Sequence, residues 1–302
     1  MRLAVNGRSA SRSAERGHSA QPFLKWAGGK TQLLGHVARF LPPAFGAYAE
    51  PFVGSGALFF FLRKTRGQFP AFLSDFNPEL ANCYAMVRDR VEELIPLLSA
   101  FEEKHCAEQY YDVRRQKPDA LDGLSRAARL IYLNKTCFNG LYRVNSDGEF
   151  NVPMGSYVRP RVCDESALRA ASVALQGSRI ASTDFAETQD HVRRGDFVYF
   201  DPPYHPISRT SSFTGYAVSS TVSGSSDRDR RASFDIEEQQ RLAALFESLD
   251  KRGCLLMLSN SESAPIREFY ARYNIQTVEA RRAINCDGTK RGVIYEIVVT
   301  NY

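Results

Sequence analysis

Across 302 residues the sequence has one tryptophan, and its six cysteines stand apart at Cys83, Cys106, Cys137, Cys163, Cys254 and Cys286. There is no C-x-x-C pair and no histidine at metal-site spacing. Their absence argues against a zinc site and a disulfide framework, and for a reducing compartment. No metal is expected. No stretch approaches the roughly 18 apolar residues of a membrane span, so no membrane partner is expected. Residues 1–20 lack the apolar core of a secretory signal. Their Arg- and Ser-rich, acid-poor composition leaves an organelle transit segment open, but a disordered tail is the simpler reading. The cytoplasm is the default location. A strong charge of one sign is also missing: 39 Lys+Arg against 34 Asp+Glu give a net +5. That bias says little about partners until the charges are located.

What is present is ordinary for a globular chain, with 43% hydrophobic and 24% charged residues and twenty phenylalanines and fourteen tyrosines to fill a core. "AYAEPFVGSGALFFFLRK" reads as a strand, a Gly-rich turn and the start of an apolar helix. "FPAFLSDFNPEL" reads as a short strand closing on Asp75, then a helix from about Pro78. Residues from roughly 80 to 135 carry Met86, Val87, Leu94, Leu97, Leu98 and Phe101 at helical spacing. The block 134–161 is polar, aromatic and turn-rich, with a hairpin expected at Ser146-Asp147-Gly148. Strand–helix alternation resumes with "SRIASTDF", "DFVYFDPPY", a helix from about Ile236 to Leu249, "CLLMLSNS" and "VIYEIVVTNY". Two βα halves around a differently composed block predict an α/β sheet with a recognition insert. The Ser/Arg/Asp-rich stretch 217–233 fits no element and is expected to be a flexible insertion.

Three constellations carry chemistry. Gly54 and Gly56 follow a strand and open a helix, where a ligand can approach the backbone; a tight strand–helix turn alone would also want glycine. Asp75 lies at the end of the next strand, about 20 residues on, placed for ribose hydroxyls. Together the three imply a nucleoside-containing cofactor. "WAGGKT" is not a phosphate loop, because Leu24 stands where that motif needs its first glycine. Lys30 suits a cofactor carboxylate, and Trp26 packs either on a ligand or in the core. In "DPPY", Asp201 and the carbonyl of Pro202 can accept both N–H groups of an aromatic amine and draw its nitrogen toward tetrahedral geometry. Pro202 and Pro203 stiffen the turn, and Tyr204 offers a face to a flat base.

"PFLKWAGGK", "EPFVGSG", "SDFNPEL", "NKTCFNGLYRVNSDGEFNVPMGSY" and "DFVYFDPPYHPISRTSSFTGY", in that order, resemble the Dam-type DNA adenine-N6 methyltransferases, the alpha-ordered D12 class that mostly methylates GATC. The resemblance covers about residues 21–302. It implies a Rossmann-like S-adenosylmethionine-dependent methyltransferase sheet with an inserted, mainly helical DNA-recognition domain containing a β-hairpin. Residues 21–76 and 164–302 would be catalytic, and 77–163 would read DNA.

Carried over by residue, Trp26, Ala27, Lys30, Phe52, Gly54 and Gly56 would line the S-adenosylmethionine site, with Asp201 at its edge. Asp75 would hold the ribose, and Asp184 and Phe185 the cofactor's adenine. Asp201, Pro202, Pro203 and Tyr204 would hold a flipped target adenine. Lys25, Asn139, Leu141, Arg143 and Pro153 would meet base edges. Here the physics agrees, since an arginine can grip guanine O6 and N7 and an apolar leucine suits a thymine methyl. Lys135, Arg159, Arg161 and Arg126 would touch phosphates.

Two departures stand out. Ser156 replaces an arginine common in the family, and the 217–233 stretch is longer than the family's connection. Arg228, Arg230 and Arg231 in that stretch are candidates for phosphates near the flipped base, beside a passive linker. The expected protein is a monomer acting on double-stranded DNA by direct in-line methyl transfer. A restriction endonuclease encoded elsewhere stays open as a partner. Rival readings keep the catalytic turn but place it on another DNA motif, RNA adenine or a glutamine amide, or make the chain a non-catalytic DNA-binding regulator. Intact Asp201, Tyr204, Lys30 and Asp75 speak against the last.

Overall fold

The run Phe-Val-Tyr-Phe at 197–200 is buried on both faces, Phe197 and Tyr199 in one apolar cluster, Val198 and Phe200 in another. Such a run belongs at the centre of a parallel sheet with helices on both sides. The computed structural model describes residues 20–26, 34–204, 234–281 and 293–302. Ala27, Lys30, the stretch 217–233 with its three arginines, and nearly all of the tail lie outside the described residues.

Among these residues the strands are β1 (Tyr48–Glu50), β2 (Ala71–Asp75), β3 (Ser178–Ser182), β4 (Phe197–Phe200), β5 (Leu255–Ser261), β6 (Asn274–Arg281) and β7 (Val293–Thr300). They form one seven-stranded sheet in the order β3-β2-β1-β4-β5-β7-β6. The first five pair in parallel, and β7 runs antiparallel between β5 and β6. The helices are α1 (Leu34–Val37), α2 (Ala57–Arg66), α3 (Pro78–Asp89), α4 (Val91–Glu103), α5 (Ala107–Arg115), α6 (Gly123–Thr136), α7 (Glu165–Leu175), α8 (Ile236–Lys251) and α9 (Ala264–Phe269). The Rossmann-like α/β sheet expected from the sequence is present. The sequence reading assigned no element to β6. It is an edge strand with Val278 buried and Asn274, Gln276, Thr277 and Glu279 exposed, too polar to show a strand pattern by itself. Its pairing with β7 places it.

Local chemistry sets the helix starts. Asn77 caps α3, its Oδ1 accepting from the Glu79 and Leu80 amides at 3.0 and 3.4 Å, with Pro78 in the first turn. Asp122 and Asp235 cap α6 and α8 in the same way. α3 is bonded to the sheet: the Arg88 guanidinium donates to Ser178 O at 2.6 Å and the Tyr84 hydroxyl to Gly54 O at 3.1 Å. The helical span 80–135 is divided into α3, α4, α5 and α6. Leu97, at a helical apolar position, is 37% exposed. Buried Arg129 of α6 donates to the Val113 and Arg114 carbonyls at 3.1 and 3.0 Å, satisfying the end of α5.

The expected hairpin is present. Val144 bridges Phe150 and Cys137 bridges Met154. Asn145 closes its turn, with its Oδ1 accepting from the Asp147 and Glu149 amides at 3.1 and 2.8 Å. Among the described residues no helix is long and apolar enough to cross a membrane, and no group of three His, Cys, Asp or Glu could hold a metal ion.

Candidate active site

The strand order reverses between β1 and β4, which opens a crevice outside the carboxyl ends of the parallel strands. β1 ends in Glu50, β2 in Asp75, and β4 runs into Asp201. Residues far apart in the chain thus meet at one rim.

Asp75 is 8% exposed. Its Oδ2 accepts the Gly54 amide at 3.2 Å and its Oδ1 the Asn77 amide at 3.0 Å. Burial pushes its carboxyl up to about 6, against the two amide bonds. Each oxygen keeps a second lone pair for a hydroxyl. Gly54 and Gly56 have left-handed φ of +48° and +66°. A Cβ on Gly54 would lie 3.0 Å from Trp26 Cδ1, and one on Gly56 2.7 Å from the Tyr84 hydroxyl. Here the close approach that demands glycine is made by the protein's own rings. Trp26 itself is buried and stacks on Tyr142, with centroids 5.2 Å apart.

Beyond β3, Asp184 caps the turn Phe185–Asp190 through the Ala186 amide at 2.9 Å and pairs with Arg241 at 2.6 Å. The Arg241 guanidinium lies 4.3 Å from the Phe185 ring centre. Phe52, Phe185 and Phe234 form an aromatic triangle with centroid spacings of 5.5, 5.5 and 5.7 Å. Rings flanked by a carboxylate suit a purine with an exocyclic amine.

The Asp201–Tyr204 turn is gripped from behind. Buried Gln239 of α8 donates to Pro203 O at 3.2 Å and accepts from buried Asn260 of β5 at 2.9 Å. The Tyr204 hydroxyl donates to Glu296 of β7 at 2.5 Å. Beneath them the hydroxyls of Tyr199 and Ser259 share a 2.8 Å bond. Buried Glu50 accepts from the Tyr48 hydroxyl at 2.9 Å. Burial holds its carboxyl well above the usual range, opposed by the Tyr48 bond, with the charges of Asp201 and Asp75 adding to the rise.

On the hairpin side, Lys25 is bound into the block it was expected to serve. Its amide donates to Asn134 Oδ1 at 2.8 Å, its stem packs on Gly140, and its Nζ reaches the Tyr157 hydroxyl at 3.4 Å. Arg143 is exposed and aimed by Asn151, whose Oδ1 accepts from its Nε at 2.6 Å. Asn139, left-handed at φ 56°, and Pro153 are exposed, and Leu141 is half-buried. The Phe138 amide donates to Pro153 O at 2.9 Å while its ring stays 48% exposed. Lys135 is half-buried, and burial and the neighbouring Lys25 cation lower its pKa. Arg159 is exposed, and Arg161 pairs with Asp164 at 3.2 Å. Arg126 departs from expectation. It is committed to Glu79 of α3, with its Nε 3.0 Å from the carboxylate.

Sequence reasoning missed Glu50, Phe234, Gln239, Arg241 and Glu296. A lone carboxylate inside the apolar run "VIYEIVVT" is a signal that could have found Glu296. Gln239 and Arg241 lie on an ordinary amphipathic helix and carry none.

The profile of the D12 class N6 adenine-specific DNA methyltransferases matches residues 26–284. The chain is 41% identical over 288 residues to the Type II methyltransferase M1.LlaDCHI of Lactococcus lactis subsp. cremoris, covering 93% of this chain and 95% of that protein. It is 42% identical over 300 residues to the Type II methyltransferase M.MjaIII of Methanocaldococcus jannaschii, covering 93% and 99%. It is 34% identical over 278 residues to the DNA adenine methylase of Escherichia coli K12, covering 91% and 93%.

Proposed function

The chain belongs to the D12 class N6 adenine-specific DNA methyltransferase family, and from that membership we propose that it methylates N6 of adenine at GATC in duplex DNA, with S-adenosylmethionine as methyl donor. The carrying observation is the convergence of Glu50 to Gly54, Asp75 and Asp201 to Tyr204 at the carboxyl ends of the adjacent strands β1, β2 and β4.

The donor supplies an electrophilic methyl group on a sulfonium. Asp75, a buried carboxylate with spare lone pairs beside the Gly54 turn, fits its ribose hydroxyls. The Phe52–Phe185–Phe234 triangle with Asp184 fits its adenine. The resemblance adds Trp26, Ala27 and Lys30. The target adenine leaves the duplex at a cost of a few kcal/mol and stacks on Tyr204. Asp201 and the Pro202 carbonyl would accept hydrogen bonds from its two N6–H groups and free the nitrogen lone pair for in-line attack on the methyl carbon; the methyl–sulfur bond breaks as the N–C bond forms, and one N6 proton is given up. Gln239 holds the carbonyl of Pro203 from behind. Orientation and preorganised acceptors supply most of the rate.

DNA reading falls to the hairpin block. Clustering of Lys25 with Asn134, Gly140 and Tyr157, and an exposed Arg143 held by Asn151, support base-edge contacts by Lys25, Asn139, Leu141, Arg143 and Pro153. Exposed Phe138 suits insertion between base steps. Lys135 and Arg159 would meet phosphates. We assign reading to 77–163 and catalysis to 21–76 and 164–302, with α3 bonded to both. The enzyme acts as a monomer in the cytoplasm. Two relatives carry Type II names, which supports a restriction endonuclease encoded elsewhere.

The test is expression in a methylation-deficient bacterial host with N6-methyladenine mapped by single-molecule sequencing. Methylation at GATC, lost in Asp201→Ala, is expected. Another motif would overturn the reading of the hairpin, and unmodified DNA from a folded protein would overturn the substrate.

A further inference from the structure

Glu296 is 7% exposed and lies on β7, opposite Ser261 of β5 and Val278 of β6. It is followed by the buried Ile297, Val298 and Val299. Placing a carboxylate in such a run carries a desolvation cost. The sheet does not need it, because β7 is held on both edges by its backbone ladders. The carboxylate accepts the Tyr204 hydroxyl at 2.5 Å, a short bond of the charge-assisted kind. Burial, with the charges of Asp201 and Glu296 added, holds the Tyr204 phenol well above its ordinary pKa. The tyrosine therefore stays protonated and remains the donor. Gln239 meanwhile fixes the preceding carbonyl at Pro203. The backbone of the turn and the far end of its ring are thus anchored to different elements, α8 and β7.

We propose that Glu296 is a positioning residue for methyl transfer: it holds the Tyr204 ring at the place where the flipped adenine stacks, while Asp201 and Pro202 hold N6. The inference rests on the function proposed above. A stacking face alone would need only a ring, and phenylalanine would serve as well as tyrosine. A ring tethered at its hydroxyl cannot swing about its Cα–Cβ bond when the base arrives.

The test measures the single-turnover methylation rate on a duplex oligonucleotide carrying the mapped motif, with cofactor affinity and thermal midpoint alongside. The proteins are wild type, Asp201→Ala, Glu296→Gln, Glu296→Ala, Tyr204→Phe and the double variant Glu296→Ala/Tyr204→Phe. Glu296→Ala and Tyr204→Phe should each slow transfer about 10- to 100-fold, the size expected of a misplaced reactant. Cofactor affinity should stay unchanged. Glu296→Gln, which keeps an acceptor oxygen, should recover most of the rate. The double variant should be no slower than Tyr204→Phe alone.

Multiplying losses in the double variant, or a wild-type rate for Tyr204→Phe, overturns the inference. Should Glu296→Ala fail to fold, Tyr204→Phe and Glu296→Gln decide it in the same way. An active Asp201→Ala would overturn the proposed active site itself. An inactive Asp201→Ala beside independent Glu296 and Tyr204 effects would overturn this inference alone.

Discussion

Trp26 stacks on Tyr142, with ring centroids 5.2 Å apart and planes 25° from parallel. Trp26 also closes over Gly54, and Tyr142 stands between Leu141 and Arg143 in the hairpin block. One ring pair therefore joins the Gly54 turn of the crevice to the segment proposed to read bases. Because Trp26 is the only tryptophan, its emission reports on this contact directly. Tyr142→Ala should shift that emission to the red and lower stability by about 2–4 kcal/mol, as for loss of a large packed side chain. Tyr142→Phe should preserve the emission and lose only the hydroxyl's bond with Asn77. Urea unfolding followed by fluorescence checks the pair.

Asp75 gives a pH signature. Burial raises its carboxyl to about 6, and ribose hydroxyls prefer the ionised acceptor. Cofactor binding should therefore release a proton below that value. Affinity should fall about tenfold for each pH unit below 6 and level off above it. Calorimetric titration between pH 5 and 8 shows the bend, and Asp75→Asn should bind weakly without one.

Gly56→Ala is a test of packing. The residue opens α2 at φ +66°, and a Cβ there would sit 2.7 Å from the Tyr84 hydroxyl. The left-handed backbone alone costs about 1–2 kcal/mol, and the clash adds to it. The thermal midpoint should fall by several degrees, and adding Tyr84→Phe should restore part of the loss by removing the oxygen.

Gln239→Leu should act on rate and stability together. It removes the donor to Pro203 O and leaves the amide of buried Asn260 without its acceptor. An orphaned buried donor costs about 1–3 kcal/mol. Transfer should slow by about tenfold with cofactor affinity unchanged, as read by single-turnover kinetics and calorimetry.

Much of the fold was legible in short stretches. "FPAFLSDFNPEL" announced β2, its closing Asp75 and α3, because a strand-ending carboxylate and a first-turn proline act within a few residues. The same holds for the 197–200 run that becomes β4 and for the Asn145–Glu149 turn. Local hydrogen bonding and side-chain period determine these elements, so the sequence carries them openly. The turn proposed to be catalytic could be named for a related reason, since Asp201 to Tyr204 stand in four consecutive residues.

The supports of that turn were not legible. Glu296 lies 92 residues from Tyr204, and Gln239 36 residues from Pro203. Neither is marked by spacing or composition, because which carboxylate or amide ends up behind a loop depends on strand order. Likewise Arg126, read as a candidate phosphate contact, is bound to Glu79 across the packing of α3 on α6. The glycines at 54 and 56 were readable as turn residues, but only packing showed that Trp26 and Tyr84 fill the space above them. The sequence by itself determined the strands other than β6, the proline that starts α3 and the residues proposed for an aromatic amine. The tertiary structure decided how rigidly they are held, because that depends on contacts formed only when β7 inserts between β5 and β6 and α8 packs behind β4.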